Sequence, residues 1–193
     1  METDLNKLRD RAYLIAKSHG FHEKEESDET YLMLIITEIA EAVNADRKGH
    51  HADIETFEDW IACDHISAHS NRYITAFDKT VKDSVEDELA DVAIRLLDFA
   101  GAKKIYLDDI FSYDIQYGRA FSENCYSFVK NLVDDMRLEN LCTTICRALR
   151  DIENIASCCH VDLFKFIDIK MKYNELRPYK NGKKCMMANT CHV

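Results

Sequence analysis

The chain has 193 residues and a formal net charge of −10, from 35 acidic and 25 basic side chains. That balance argues against a nucleic-acid polymer or an anionic membrane surface as a bulk partner, and no run reaches the roughly 18 apolar residues of a membrane span. One proline and five glycines, among abundant Leu, Ile, Ala, Glu, Asp and Lys, describe an all-α chain with short connections, long enough for one domain with a sizeable core.

Leu5, Leu8, Ala12, Leu14, Ile15 and Ala16 predict an amphipathic helix from Thr3 to Ser18, closed at His19-Gly20 by a glycine C-cap. The charged stretch Phe21–Asp28 reads as a turn, and Ser27 or Asp28 supplies the N-cap of the next helix. That helix, Tyr31–Gly49, carries an apolar stripe of Leu32, Ile35, Ile36, Ile39 and Val43. Glu38 and Glu41 stand one turn apart beside it, each only about 60° around the helix from a stripe position. Acids at the edge of a core face are costly to desolvate unless a positive group meets them.

Between His50 and Thr80 the pattern predicts a short helix over Ile54–Ala68 and a mobile connector after it, a stretch suited to a lid or a nucleobase wall. His65 and His69 share a helical spacing, but no third ligand is positioned by spacing, so they read as an exposed pair. A second strong helix runs from Lys82 to Ala102, with Leu89, Val92, Ala93, Leu96, Leu97 and Ala100 as its stripe and Gly101 near its end. Glu88 and Asp91 border this stripe as Glu38 and Glu41 border theirs, and Arg95 is spaced to pair with Asp91.

Tyr106–Gly118 reads as a turn and short helix, followed by helices over Ser122–Met136, Leu138–Ser157 and Val161–Leu176, the last capped by Asp162. The segments Ile94–Phe111 and Cys146–Phe164 echo each other weakly, at an offset drifting from 52 to 54 residues. A duplication would put Asn140 and Thr143 in the places of Glu88 and Asp91, but shared amphipathicity explains the echo more cheaply. The eight cysteines form no C-x-x-C pair, and Met1–Arg11 is polar, so reduced thiols of a cytoplasmic protein are expected.

Two helices with acid pairs, packed antiparallel, would gather four carboxylates. Hard oxygen ligands at that density suit Mg²⁺ or Mn²⁺, and magnesium keeps positions for substrate phosphates. The complement is the basic C-terminal segment. Lys170, Asn174 and Arg177 share one helix face, and Tyr179, Lys180, Lys183 and Lys184 follow. Either acid pair alone is an ordinary spacing on a solvated helix; the two pairs and the basic segment together point to a di- or triphosphate.

The stretches GFHEKEESDETYLMLIITEIAEAVNADRKG, EDELADVAIRLLDFAG and IDIKMKYNELRPYKNGKK carry E-x-x-E, E-x-x-D and K-x-x-x-N-x-x-R-P-Y in order. In this the chain resembles the MazG-type all-α nucleoside triphosphate pyrophosphohydrolases, over about residues 5–50, 83–110 and 160–184. The resemblance implies a helical bundle, with additional helices, holding Mg²⁺ (Mn²⁺ as an alternative) through Glu38, Glu41, Glu88 and Asp91. Such enzymes convert a nucleoside or deoxynucleoside triphosphate to the monophosphate and pyrophosphate, work as homodimers or homotetramers, and keep house in the nucleotide pool. Glu38 or Glu41 would activate the water, while Lys170, Asn174, Arg177, Tyr179 and Lys183 would steady the phosphates. Residues 1–184 would form the single domain and 185–193 a tail. The expanded region at about 111–159 and the long Gly49–Thr80 connector depart from compact members, so the longer dimeric dUTPase-like branch is a subfamily option.

Two other helical carboxylate designs are excluded by their ligands. A ferritin-like di-iron site needs Glu-x-x-His, and an HD-type phosphohydrolase needs His-Asp; neither occurs. A non-catalytic nucleotide-binding or protein-interaction module with a degenerate site stays as the alternative.

Overall fold

Local capping sets where each helix begins. Asp4 accepts from the Asn6 and Lys7 amides to start α1 (Leu5–Ser18), and the Ser27 hydroxyl accepts from the Thr30 amide to start α2 (Asp28–Arg47). Gly20 and Gly49, at φ 81° and 63°, then carry the chain out of these helices in the left-handed conformation that a glycine adopts without strain. The computed structural model describes residues 4–62, 69–108 and 120–179. After α2 come α3 (Ile54–Ala62), α4 (His69–Thr80), α5 (Val85–Ala102), α6 (Phe121–Leu138), α7 (Leu141–Cys158) and α8 (Leu163–Leu176). No strand occurs among the described residues, and no helix there is long and apolar enough to cross a membrane. The fold is an all-α bundle.

α5 is its axis. Leu89, Ala90, Val92, Ala93, Leu96, Leu97, Phe99 and Ala100 are all closed from solvent, and α1, α2, α7 and α8 pack around them. Each fully buried Leu or Phe contributes about 1.5–3 kcal/mol by leaving water. Lys103 pairs with Asp28 and Arg95 with Glu38, which sets α2 antiparallel to α5. Asn6 and Arg9 of α1 donate to the Leu107 and Ile105 carbonyls just past the end of α5, so α1 is antiparallel to it too. Gly101 lies near the end of α5, as expected, one residue before its last. It lies within the helix, where an added Cβ would meet Tyr13 Cβ at 2.6 Å, so α1 can approach only a glycine.

The stretch expected as one short helix and a connector holds two helices. Among the described residues α3 spans Ile54–Ala62 and α4 His69–Thr80; residues 63–68, His65 among them, lie outside the described residues. α4 forms because Tyr73, Ala76 and Phe77 find a core to enter: Phe77 stacks on Tyr173 of α8 at 4.0 Å between ring centroids. The long connector is pinned to α5 as well. Glu86 accepts from the Ala52 amide and lies 3.1 Å from His51 Nδ1, and the His50 carbonyl accepts from the Val85 amide.

α6 and α7 form a hairpin braced by Arg147, which pairs with Asp135 and Glu139. Asn140 caps α7 through the Thr143 amide, whereas Ser84 is the cap of α5. Asn140 is therefore the counterpart of Ser84, not of Glu88, and the proposed equivalence of Asn140 and Thr143 with the acid pair fails. Asp162 caps α8 as expected. Among the described residues, Cys125, Cys142, Cys146, Cys158 and Cys159 are free thiols. The expected helix within Tyr106–Gly118 falls largely outside the described residues.

Candidate metal and phosphate cleft

Of the expected α2 stripe, Ile35 and Ile39 enter the core, joined by Tyr31, Ala42 and Ala45, while Leu32, Ile36 and Val43 stay half-buried; Glu38 goes in with the buried face. On α5, Glu88 is buried and Asp91 half-buried beside it. One carboxylate oxygen from each of Glu38, Glu88 and Asp91 lies within 4.8 Å of the others. The three open onto a cleft of about 400 Å³. Glu41 lines the same cleft but is exposed, on its open wall. The four acids named from spacing thus share one cleft, and three of them converge on a point.

The surrounding cations are already engaged. Arg95 Nε donates to Glu38 Oε1 at 2.9 Å. The expected i,i+4 pair of Arg95 with Asp91 gives way to this cross-helix contact. Asp91 is instead taken by Lys170 of α8, whose Nζ is 2.7 Å from both Asp91 Oδ2 and Asp87 Oδ1. Lys170 is 6% exposed. Although burial opposes its charge, Asp91 and Asp87 outweigh that and hold the ammonium well above the usual lysine range.

Charge is crowded at the acid end. Burial, reinforced by Asp87 and Asp91, pushes the Glu88 carboxyl up to about 9. Burial and Asp91 also raise Glu38 against the pull of Arg95, and burial raises Asp87 against that of Lys170. Among the described residues no cation pairs with Glu88. A carboxylate trio with one member so placed fits a divalent cation, because hard oxygen donors at this spacing lower their mutual repulsion by sharing positive charge. Asp83, Asp87 and Glu88 form a second acidic trio alongside, where Asp87 is already committed to Lys170.

Asn174 and Arg177 also line the cleft. Arg177 Nη1 donates to Asn174 Oδ1, and its guanidinium sits over the Tyr173 ring. Tyr179 is exposed outside the cleft wall and donates its hydroxyl to Glu23. Lys183 lies outside the described residues.

Two further acids, Asp87 and Asp98, take partners that helix spacing does not announce. Asp87 sits in the run Glu86-Asp87-Glu88, which looks like a first turn suited to the helix dipole. Its i,i+4 relation to Asp91, opposite a single lysine, was the available signal. Asp98, also lining the cleft, is buried and accepts from His22 Nε2 at 2.7 Å, a contact between positions 76 residues apart that no local spacing announces. Comparison of the chain with protein-family models, curated proteins and solved structures finds no match.

Proposed function

We propose that the chain is a Mg²⁺-dependent nucleoside triphosphate pyrophosphohydrolase of the MazG-like type. The observation that carries this reading is the convergence of Glu38, Glu88 and Asp91 within 4.8 Å on a cleft of about 400 Å³, a size that suits a nucleotide. Magnesium bound by these carboxylates, with Mn²⁺ as a substitute, would supply positive charge to the phosphates and acidify a water.

In the proposed reaction Glu41, the solvent-facing acid of the cleft, takes a proton from the attacking water. A bond forms between the water oxygen and the α-phosphorus. The bridging bond from that phosphorus to the β-phosphate oxygen breaks, and pyrophosphate leaves with the electron pair. Lys170 acts at one remove: it pairs with Asp91 and orients it instead of reaching a phosphate itself. Arg95 does the same for Glu38. Asn174 and Arg177 offer donors from α8 to the phosphate chain.

The test is a pair of conservative substitutions. Glu41→Gln and Asp91→Asn should each lower turnover by about 10²–10⁴-fold while leaving the helical circular dichroism spectrum unchanged. Wild-type rates in both variants would remove the site from the reaction. A wild type that binds Mg²⁺-nucleotide but yields no product would favour the non-catalytic alternative.

A further inference from the structure

The cleft has two unlike ends. Ile15, Ala16, Phe21, Leu34 and Ile94 give one end most of the cleft's apolar lining, which they share with Asp98, His19 and Arg177, whose carbonyl lies 2.8 Å from His19 Nε2. The Glu38–Arg95 and Asp28–Lys103 pairs align α2 with α5 so that Leu34 falls beside the Ile94–Asp98 half of α5. The opposite end, beyond Glu88, is lined by Glu41, Asp83 and Lys82.

Among the described residues four cations line the cleft: Lys82, Arg95, Lys170 and Arg177. Arg95 is held by Glu38, Lys170 by Asp87 and Asp91, and Arg177 by Asn174 and the Tyr173 ring. Lys82 has no such partner among the described residues, and it is exposed. Its position is nevertheless fixed by the backbone. The Lys82 amide donates to the Phe77 carbonyl, Val81 is buried beneath it, and Asp83 adopts φ 61° with its amide bonded to Asp87 Oδ2. A non-glycine residue in that region costs on the order of 1 kcal/mol and persists only where its surroundings determine it.

We infer that Lys82 is the cation that receives the leaving pyrophosphate, and that the substrate lies with its nucleoside toward Phe21 and Leu34 and its terminal phosphates toward Lys82. This rests on the proposed reaction. The polarity follows because an uncommitted ammonium at the far side of the acids is where the outer phosphates gain a charge-assisted bond, while the apolar end accepts the part of a nucleotide that carries no charge. Lys82 then neutralises charge as it builds on the departing oxygen.

Isothermal titration of Mg²⁺-pyrophosphate, and separately of AMP, CMP, GMP and UMP and their deoxy forms, into wild type, Lys82→Gln and Lys82→Arg tests this. The Gln variant should bind pyrophosphate about tenfold more weakly, the size of one charge-assisted contact. Monophosphate affinity should stay within about twofold, and the Arg variant should be close to wild type. Unchanged pyrophosphate affinity, a loss confined to the monophosphate, or no pyrophosphate binding to the wild type would each overturn the assignment. A Lys82 effect on pyrophosphate in a protein that releases none from any triphosphate would uphold Lys82 as a pyrophosphate contact and sink the reaction instead.

Discussion

Replacing Lys170 with methionine tests the internal wiring of the cleft apart from any turnover. The side chain is 6% exposed and its ammonium is shared between Asp87 and Asp91 at 2.7 Å each. Methionine keeps much of the stem's packing against Phe77 and Tyr173, whose rings lie 5.3 and 5.9 Å from Nζ, so the change isolates charge. Breaking a buried pair by removing one partner costs about 3–5 kcal/mol, because the remaining charge is stranded. For a chain of this size that lowers Tm by roughly 6–20 °C. The pH dependence has a fixed sign. Asp87 is raised by burial in the wild type despite the lysine, and without the lysine it rises further. A carboxyl whose folded pKa exceeds its unfolded value gains stability as pH falls through the folded pKa, by at most about 1.4 kcal/mol per unit. The deficit of Lys170→Met should therefore be largest near pH 8 and shrink toward pH 5. Adding Asp87→Asn should restore part of it at pH 8, since the stranded charge is then gone. Urea unfolding followed by circular dichroism at several pH values reads all three. A deficit under about 1 kcal/mol at pH 8, or one that grows on acidification, would refute the reasoning.

Other outcomes follow from the same structure. Mg²⁺ should raise Tm, by about 2.7 kcal/mol of stability at a hundred times its dissociation constant. The gain should be larger at pH 8.5 than at pH 6, because Glu88, raised to about 9, must release its proton to bind metal; a pH-independent shift contradicts this, as does an undiminished one in Glu88→Gln. Gly101→Ala should cost about 1–3 kcal/mol by overpacking, since the new methyl meets Tyr13 Cβ at 2.6 Å, and an unaltered melting curve would show that α1 yields freely. His22→Ala should cost about 1–3 kcal/mol in urea, because the buried Asp98 loses the partner that its oxygen meets at 2.7 Å; an unmoved midpoint would mean that another group already serves it.

Much of this architecture is legible in residue order because it depends on local rules. The Ser27 and Asp162 caps, the glycine exits at Gly20 and Gly49, and the α2 and α5 stripes all act within a turn or two of themselves. The placing of α4 is not local: it is held by Phe77 stacking on Tyr173, almost a hundred residues away in the chain. The same division runs through the cleft. The acids Glu38, Glu41, Glu88 and Asp91 could be found by spacing alone. Which cation takes which acid could not. Arg95 had a same-helix partner in reach and bonds across to Glu38, while Lys170, which by spacing shares a face with Asn174 and Arg177 as a phosphate ligand, is buried against two carboxylates. Packing decided both, since α2 and α8 bring Glu38 and Lys170 within 2.9 and 2.7 Å of their partners on α5.

The proposed reaction is attack at the α-phosphorus by water activated in the acid cleft. A panel of ribo- and deoxynucleoside triphosphates with Mg²⁺, scored together for monophosphate, pyrophosphate and orthophosphate, tests it most directly. Pyrophosphate and monophosphate should appear in equal amounts from at least one substrate, and be lost in Glu41→Gln and on chelation of the metal. Orthophosphate as the primary product, or pyrophosphate release undiminished in Glu41→Gln, would contradict it.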